Sequence, residues 1–389
     1  MIRAILSNRQ RPDLPPVSIA FPIASYSETY QKLEAIGVGH IASHDCFVKK
    51  LDGDYPVLKR LQETEINVDE LDYLAKRLES FDRYELAQFQ GTAVSQEFVN
   101  MTDFINLTFC CQGVTVVQDF TDLEDVGRKH YLNLHGGLTV DELQSLNFQE
   151  IALSLLQNED GIITPYGVVY DNGMELELFY DGLHFPDYRY SGDTILTVAV
   201  TDRSLPEDSK DIAWLYLPAE DCQIERTLLR AGVENADEIS LRFIESEFPE
   251  EVDAALDMEC DDLFTLNRLC GIMSVLDATD RKKLGAVVQF ANPTNAKQVM
   301  HLAEQLDLFD FVPGITNPEE YGRHMIQESG HYELDEDLEE YIDFKRYGEQ
   351  RIAEEYGRFT ENGYISYRGF ISIDEILSGS PQMGGMNMG

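Results

Sequence analysis

The residues best placed to do chemistry are carboxylates. Asp335, Glu336, Asp337, Glu339, Glu340 and Asp343 fall within nine residues, with Glu333 just before them and Glu349, Glu354 and Glu355 just after. Their neighbours do not make catalysts of them. No segment carries GxxxxGK[ST], GxGxxG after a strand, HExxH, GxSxG or an EF-hand loop, so no phosphate cradle, zinc pair, nucleophile elbow or calcium loop is written in the chain. His40, His44 and Asp45 come nearest to a metal cluster. Residues four apart share a face only on a helix, however, and residues 40–51 read as a strand. No metal, no cofactor and no enzymatic activity are therefore expected. What remains is electrostatic chemistry. A row of acids can meet a basic partner, or it can simply solvate the start of a helix, whose free N–H groups and dipole favour negative charge.

The whole chain shares this character. Its 389 residues hold 71 acids and 30 bases, a net charge of −41. Such a protein repels nucleic acid and anionic membranes, so neither is an expected partner, and basic surfaces are. Hydrophobic residues make up 43%, with 19 Tyr and 20 Phe, which excludes a disordered acidic polymer. The N-terminus has only a three-residue apolar run and does not read as a signal peptide. No apolar run approaches the roughly 18 residues of a membrane span. The six cysteines show no CxxC spacing and read as reduced core residues of a cytoplasmic protein.

The elements that must position the acids read as α+β. Residues 17–21 form a strand stopped by Pro22, and 25–36 a helix stopped by Gly37. Residues 68–81 form a strong helix, with Val68, Leu71, Leu74, Leu78 and Phe81 on one face. Helices follow at 83–89, 101–110, 122–131 and 139–156, and strands at 115–117, 167–170, 175–180 and 194–201. The order then begins again. Leu263, Leu266, Leu269, Met273 and Leu276 repeat the face of the strong helix 195 residues later, and Asp277, Leu302, Thr316 and Gly322-Arg323 fall on Asp82, Leu107, Thr121 and Gly127-Arg128. Thr360 and Gly363 match Thr164 and Gly167 at 196. An internal duplication is expected. The divisions are an irregular arm at 1–16, a first copy at 17–203 with an extra hairpin region at 174–203, a linker at 204–211, a second copy at 212–371 and a segment at 372–389 that ends in a disordered tail.

At residues 335–367 the pattern DEDLEEYIDFKRYGEQ, then GRFTENGYISYRG, resembles the C-terminal part of ArdA antirestriction proteins. In that family an acidic helix carries a Tyr/Phe-Asp-Tyr-x-x-Tyr-Gly core, matched here by Tyr341, Asp343, Phe344, Tyr347 and Gly348. An F-T-x-x-G-Y turn follows, matched by Phe359, Thr360, Gly363 and Tyr364. The segment 308–322 and the helix at 69–78 also look like the family. The resemblance implies an elongated, internally duplicated chain of small mixed sheets and short helical bundles. It implies an antirestriction protein of conjugative elements or plasmids that mimics DNA in the groove of Type I restriction-modification enzymes, on the methyltransferase core, by stoichiometric binding. It also implies a homodimer or, given the doubled length, a single-chain pseudo-dimer. The mimic face would comprise Glu333, Asp335, Glu336, Asp337, Glu339, Glu340, Asp343, Glu349, Glu354 and Glu355, with Asp141, Glu142 and Glu150 in the first copy. Leu338, Tyr341, Phe344 and Tyr347 would face inward. The alternative is an acidic scaffold of a mobile element that binds another basic, DNA-associated protein.

Overall fold

A computed structural model describes residues 1–157, 160–206, 209, 211–233, 238–257, 261–330 and 341–379. The chain is α+β and divides into two compact units. One gathers Met1–Tyr190, Leu205–Ala213 and Glu220–Ala236. The other gathers Ser191–Ser204, Trp214–Ala219 and Asp237–Gly389.

The first unit opens with a sheet. Strands β1 (Ile2–Ser7) and β2 (Val17–Phe21) precede helix α1 (Tyr26–Ala35), and β3 (Cys46–Gly53) and β4 (Glu65–Ile66) follow it. The strand order is β2-β1-β3-β4, with β1 antiparallel to both neighbours. Residues 1–16, expected as an irregular arm, thus supply a central strand. Ile2, Ala4 and Leu6 alternate inward and are fully buried, as a half-covered strand requires. The loop before β3 is held by Asp45, which accepts from the Gly39 and His40 nitrogens and from His40 Nδ1.

Helices α2 (Val68–Glu79), α3 (Arg83–Ser95) and α4 (Met101–Cys110) follow, capped in turn by Asn67, Asp82 and Asn100. The predicted apolar face of α2 is buried at Val68, Leu71, Leu74 and Leu78. Strand β5 (Val114–Val117), helices α5 (Leu123–His135), α6 (Val140–Ser145) and α7 (Phe148–Leu156), and strands β6 (Ile162–Thr164) and β7 (Gly167–Asp171) complete a third layer, with sheet order β5-β7-β6. The single helix expected at 139–156 is broken because Asn147 caps a new helix there.

Of the strands read at 175–180 and 194–201 in the hairpin region 174–203, the structure forms the second and not the first, and residues 174–190 carry no strand. They form a strap without regular structure across α2 and α4. Buried Asn106 takes both sides of the Tyr180 backbone, accepting from its nitrogen at 2.7 Å and donating to its oxygen at 3.0 Å. Tyr73 stacks on Phe185 with centroids 4.7 Å apart and donates to the Pro186 carbonyl. Side-chain hydrogen bonds and aromatic stacking occupy the strap where a second strand would be needed for a ladder.

The second run of elements is β8 (Leu196–Asp202), β9 (Ala213–Leu217), α8 (Asp221–Arg230), β10 (Ile239–Ser246), α9 (Glu250–Asp253), α10 (Leu263–Val275), α11 (Ala278–Ala291) and α12 (Ala296–Ala303). Then come β11 (Phe309–Pro313), α13 (Pro318–Arg323), α14 (Phe344–Glu355), β12 (Arg358–Thr360), β13 (Gly363–Tyr367) and α15 (Ile373–Ser378). Sheet orders are β10-β8-β9 and β11-β13-β12. The stretch expected as a linker at 204–211 lies between β8 and β9, which are neighbours in one sheet. Helix α8 is the part of this run that belongs to the first unit.

Candidate functional site

The acids of the second run are positioned by two helices and a hairpin. Asp343 caps α14 by accepting from the Arg346 nitrogen at 3.0 Å. Helices α13 and α14 touch through their backbones. A Cβ on Gly322 would stand 2.0 Å from the Phe344 carbonyl oxygen, and one on Gly348 would stand 1.8 Å from that of Pro318. Only glycine fits such a contact, which gives the Tyr347-Gly348 pair its physical sense. Phe344 is buried beneath, with Arg323 4.4 Å above its ring. The hairpin is closed by Thr360, whose hydroxyl donates to the Gly363 carbonyl at 2.8 Å. Gly363 takes φ +144°, with its Cβ position 2.2 Å from the Val312 oxygen.

A small aromatic core lies between them. Tyr321, Met325 and Tyr364 are buried, with Val312, Ile315, Tyr347, Ile352 and Phe359 against them. The Tyr321 and Tyr364 rings lie 3.9 Å apart, and both hydroxyls donate to Glu355, at 2.6 and 2.8 Å. Arg351 completes the group as the ion-pair partner of Glu355. Burial, reinforced by the Glu355 carboxylate, pushes both tyrosines well above their usual range.

The expected face therefore sorts into parts. Asp343, Glu349 and Glu354 are exposed. Among the described residues Glu349 meets Lys345, at 4.0 Å, and Glu354 accepts from Gln350 at 2.9 Å. Glu355 turns inward and organises the core. Tyr341, expected inward, is 80% exposed. It precedes the Asp343 cap, so helical periodicity does not apply to it. Glu333, Asp335, Glu336, Asp337, Leu338, Glu339 and Glu340 lie outside the described residues.

In the first run Asp141 and Glu150 are exposed. Glu142 is half-buried and bonded. It accepts from the Tyr131 hydroxyl at 2.6 Å and forms a capping box with Thr139, and these bonds, Tyr131 first, hold its carboxyl down at about 2. Gly127 makes the same close approach as Gly322, its Cβ position 1.8 Å from the Phe148 oxygen. Among the described residues no such tyrosine pair gathers in the first run. Val126 and Val168 stand where Tyr321 and Tyr364 would align, around a plain apolar cluster with Val117, Ala152, Leu155 and Tyr170. Among the described residues no three metal-ligating side chains gather, and no helix is long and apolar enough to cross a membrane. Cys46, Cys110, Cys111, Cys222 and Cys270 are free thiols.

Residues 212–366 match the model of the antirestriction protein family ArdA. This span belongs to the ArdA family. It contains the glycine contact, the tyrosine core and the Thr360–Gly363 turn described above. No curated protein matches the chain. The ArdA motif residues are legible in the sequence. The role of Glu355 in the aromatic core, and the bond of Glu142 to Tyr131 beside the α6 capping box, are not. The partners of ArdA antirestriction proteins are restriction-modification enzymes.

Proposed function

We propose that this chain is an antirestriction protein that occupies the DNA-binding groove of a Type I restriction-modification enzyme, on its methyltransferase core, as a stoichiometric mimic of duplex DNA. The observation that carries this is the ArdA match at 212–366 within a chain of net charge −41. Duplex DNA carries one charge per about 1.7 Å of axis, so this charge equals roughly 20 base pairs of phosphate. Asp343, Glu349 and Glu354 support the reading, because they project from a helix whose opposite side is fixed by Phe344 and Gly348. The sequence adds six more acids at 333–340.

The same reading covers the chain's organisation as two copies of one plan that stand in for two protomers. The copies start at β1 and at β8. Sheet orders β2-β1-β3 and β9-β8-β10 agree, as do β5-β7-β6 and β11-β13-β12. The caps Asn67, Asp82, Asn100 and Asp122 recur at Asp262, Asp277, Asn295 and Asn317, each 195 residues on. The copies have diverged in charge as well as core. Residues 329–357 hold ten acids and 136–161 hold five.

The experiment titrates the protein against a Type I methyltransferase bound to labelled duplex at several salt concentrations. Displacement should saturate at a fixed ratio and weaken steeply with salt. Displacement far below one inhibitor per enzyme, or none at low salt, would overturn the proposal.

A further inference from the structure

Helix α8 follows β9 in sequence, yet its seat is built from α1, α2 and the 174–190 strap, all in the first unit. Arg226 and Arg230, one turn apart, converge on Asp69 in the first turn of α2. Arg226 donates to Oδ2 from Nε at 3.2 Å and from Nη2 at 2.8 Å, and Arg230 donates from Nη2 at 2.7 Å. The Tyr30 hydroxyl takes the other oxygen at 2.6 Å. One further guanidinium donor of each meets a backbone oxygen, Arg226 at Gly39 (2.9 Å) and Arg230 at Leu183 (2.7 Å). Tyr30 lies 4.1 Å beneath Arg226, and Phe185 lies 4.5 Å beneath Arg230. The three charged side chains are 15%, 8% and 12% exposed for Arg226, Arg230 and Asp69. At the other end of α8, its capping residue Glu220 reaches over to cap α1. It accepts from the Tyr26 and Ser27 nitrogens at 2.8 Å each and from the Ser27 hydroxyl at 2.5 Å.

This seat is not a by-product of repetition. The residue 195 after Asp69 is Phe264, which is exposed, and the residues 195 before Arg226 and Arg230 are Gln31 and Ala35. The device occurs on one side only. There is also a loan in the other direction. Strand β8 precedes residues 204–211, yet it is the middle strand of the sheet β10-β8-β9. A break at 204–211 would leave an N-terminal piece that lends β8 to that sheet and a C-terminal piece that lends α8 to the first unit.

We propose that the α1, α2 and strap surface is a docking site for the Arg-x-x-x-Arg helix α8. This reciprocal exchange, rather than the covalent link at 204–211, holds the two halves of the chain together. The ArdA-matched span, which starts at residue 212, then lacks its middle strand and is completed by the residues before it. Buried arginine–carboxylate pairing, with both guanidinium groups on one Asp69 oxygen, is the right chemistry for such a seat, because removal of one partner strands the other charge in a dry site. The proposal does not depend on which enzyme the protein inhibits.

The test uses the full chain with a protease site placed in 204–211 and cleaved after purification. The two pieces should co-elute on size exclusion at low and moderate salt, and separation of the unmutated pieces under those conditions would refute the exchange. In the uncut chain, hydrogen exchange should show α8 protected to the level of α2. Arg226→Gln with Arg230→Gln should lower protection of 221–230 by about a hundredfold, the opening expected when a buried ion pair is lost. Protection in β8 and α10 should not change. If that variant fails to fold, Arg226→Lys with Arg230→Lys keeps the charge and removes the planar fork. It should lose α8 protection selectively while circular dichroism stays native. Unchanged α8 protection in the folded variants would reject the seat.

Discussion

Gly322 and Phe344 meet backbone to backbone, with the Cβ position of Gly322 only 2.0 Å from the Phe344 carbonyl oxygen. The 1.8 Å approach of Gly127 to the Phe148 oxygen is the same contact. Alanine at either glycine gains up to about 1 kcal/mol of helix propensity. It must also push two helices apart, and overpacking of this kind costs about 1–3 kcal/mol or more. The clash is with backbone and cannot be relieved by a rotamer, so it wins. Gly322→Ala and Gly127→Ala should each lower the urea midpoint with little change in slope. Gly348→Ala should cost at least as much, because its Cβ position stands 1.8 Å from the Pro318 carbonyl oxygen. An unshifted midpoint in Gly322→Ala would remove the packing explanation for the glycine.

Tyr321 and Tyr364 share one carboxylate, and both titrate above the ordinary tyrosine value of 10.0. The sign follows from the proton count. Above about pH 10 the unfolded chain releases these protons while the folded chain holds them. Their contribution is complete below pH 10 and is lost as the pH rises further. Thermal melts should show an alkaline fall in Tm that is shallower in Tyr321→Phe with Tyr364→Phe. Near neutral pH that variant should lose about 1–3 kcal/mol for two hydrogen bonds. Identical alkaline slopes would assign the fall to other groups.

Much of this plan could be read from residue order, and the failures have physical causes. The apolar face of α2 and its echo in α10 recur over three turns, and tertiary packing did not need to alter them. Strand β1 alternates correctly at Ile2, Ala4 and Leu6, but Arg3 and the following Pro15-Pro16 gave it the look of an arm. The helical period that would turn Tyr341 inward does not reach it, because the helix starts at Phe344 and the Asp343 cap resets the geometry. Arg226 and Arg230 are visibly one turn apart. Their shared carboxylate is more than 150 residues away, and no local pattern reports a contact of that range.

Glu142 offers a test at the acid end. Its carboxyl sits at about 2 in the folded protein against an ordinary 4.5, with the Tyr131 bond the largest cause. A depressed carboxylate contributes stability that is present above pH 4.5 and lost as the pH falls through about 2. Tyr131→Phe should therefore be less stable than the natural protein near neutral pH, and the gap should close as the pH falls. Urea midpoints across that range decide it. A gap that persists undiminished at the acid end would mean that Tyr131 matters through its packing on Phe148, not through Glu142.

The last prediction separates acids that face a partner from acids that face the core. Asp343, Glu349 and Glu354 are exposed and make weak contacts or a helix cap, and Glu355 is held by two tyrosines and Arg351. Exposed ion pairs are worth only about 0.2–1 kcal/mol each, so single outward substitutions should barely change target affinity. Changing Asp343, Glu349 and Glu354 together to amides should weaken binding to a Type I methyltransferase and flatten its salt dependence, since the slope counts the charges engaged. Adding Asp335, Asp337, Glu339 and Glu340 should deepen both effects. Neutralising Asp141 and Glu150 should cost less, because residues 136–161 hold five acids against ten at 329–357. Glu355→Gln should behave in the opposite way. It removes an ion pair and weakens two tyrosine bonds, lowering thermal stability while the salt slope per folded molecule stays the same. Titrations at several salt concentrations, each with a melting curve, distinguish the classes. If the outward variant remains folded and binds with unchanged affinity and slope, the outward face is only solvated helix surface. The acidic-scaffold reading would then replace DNA mimicry.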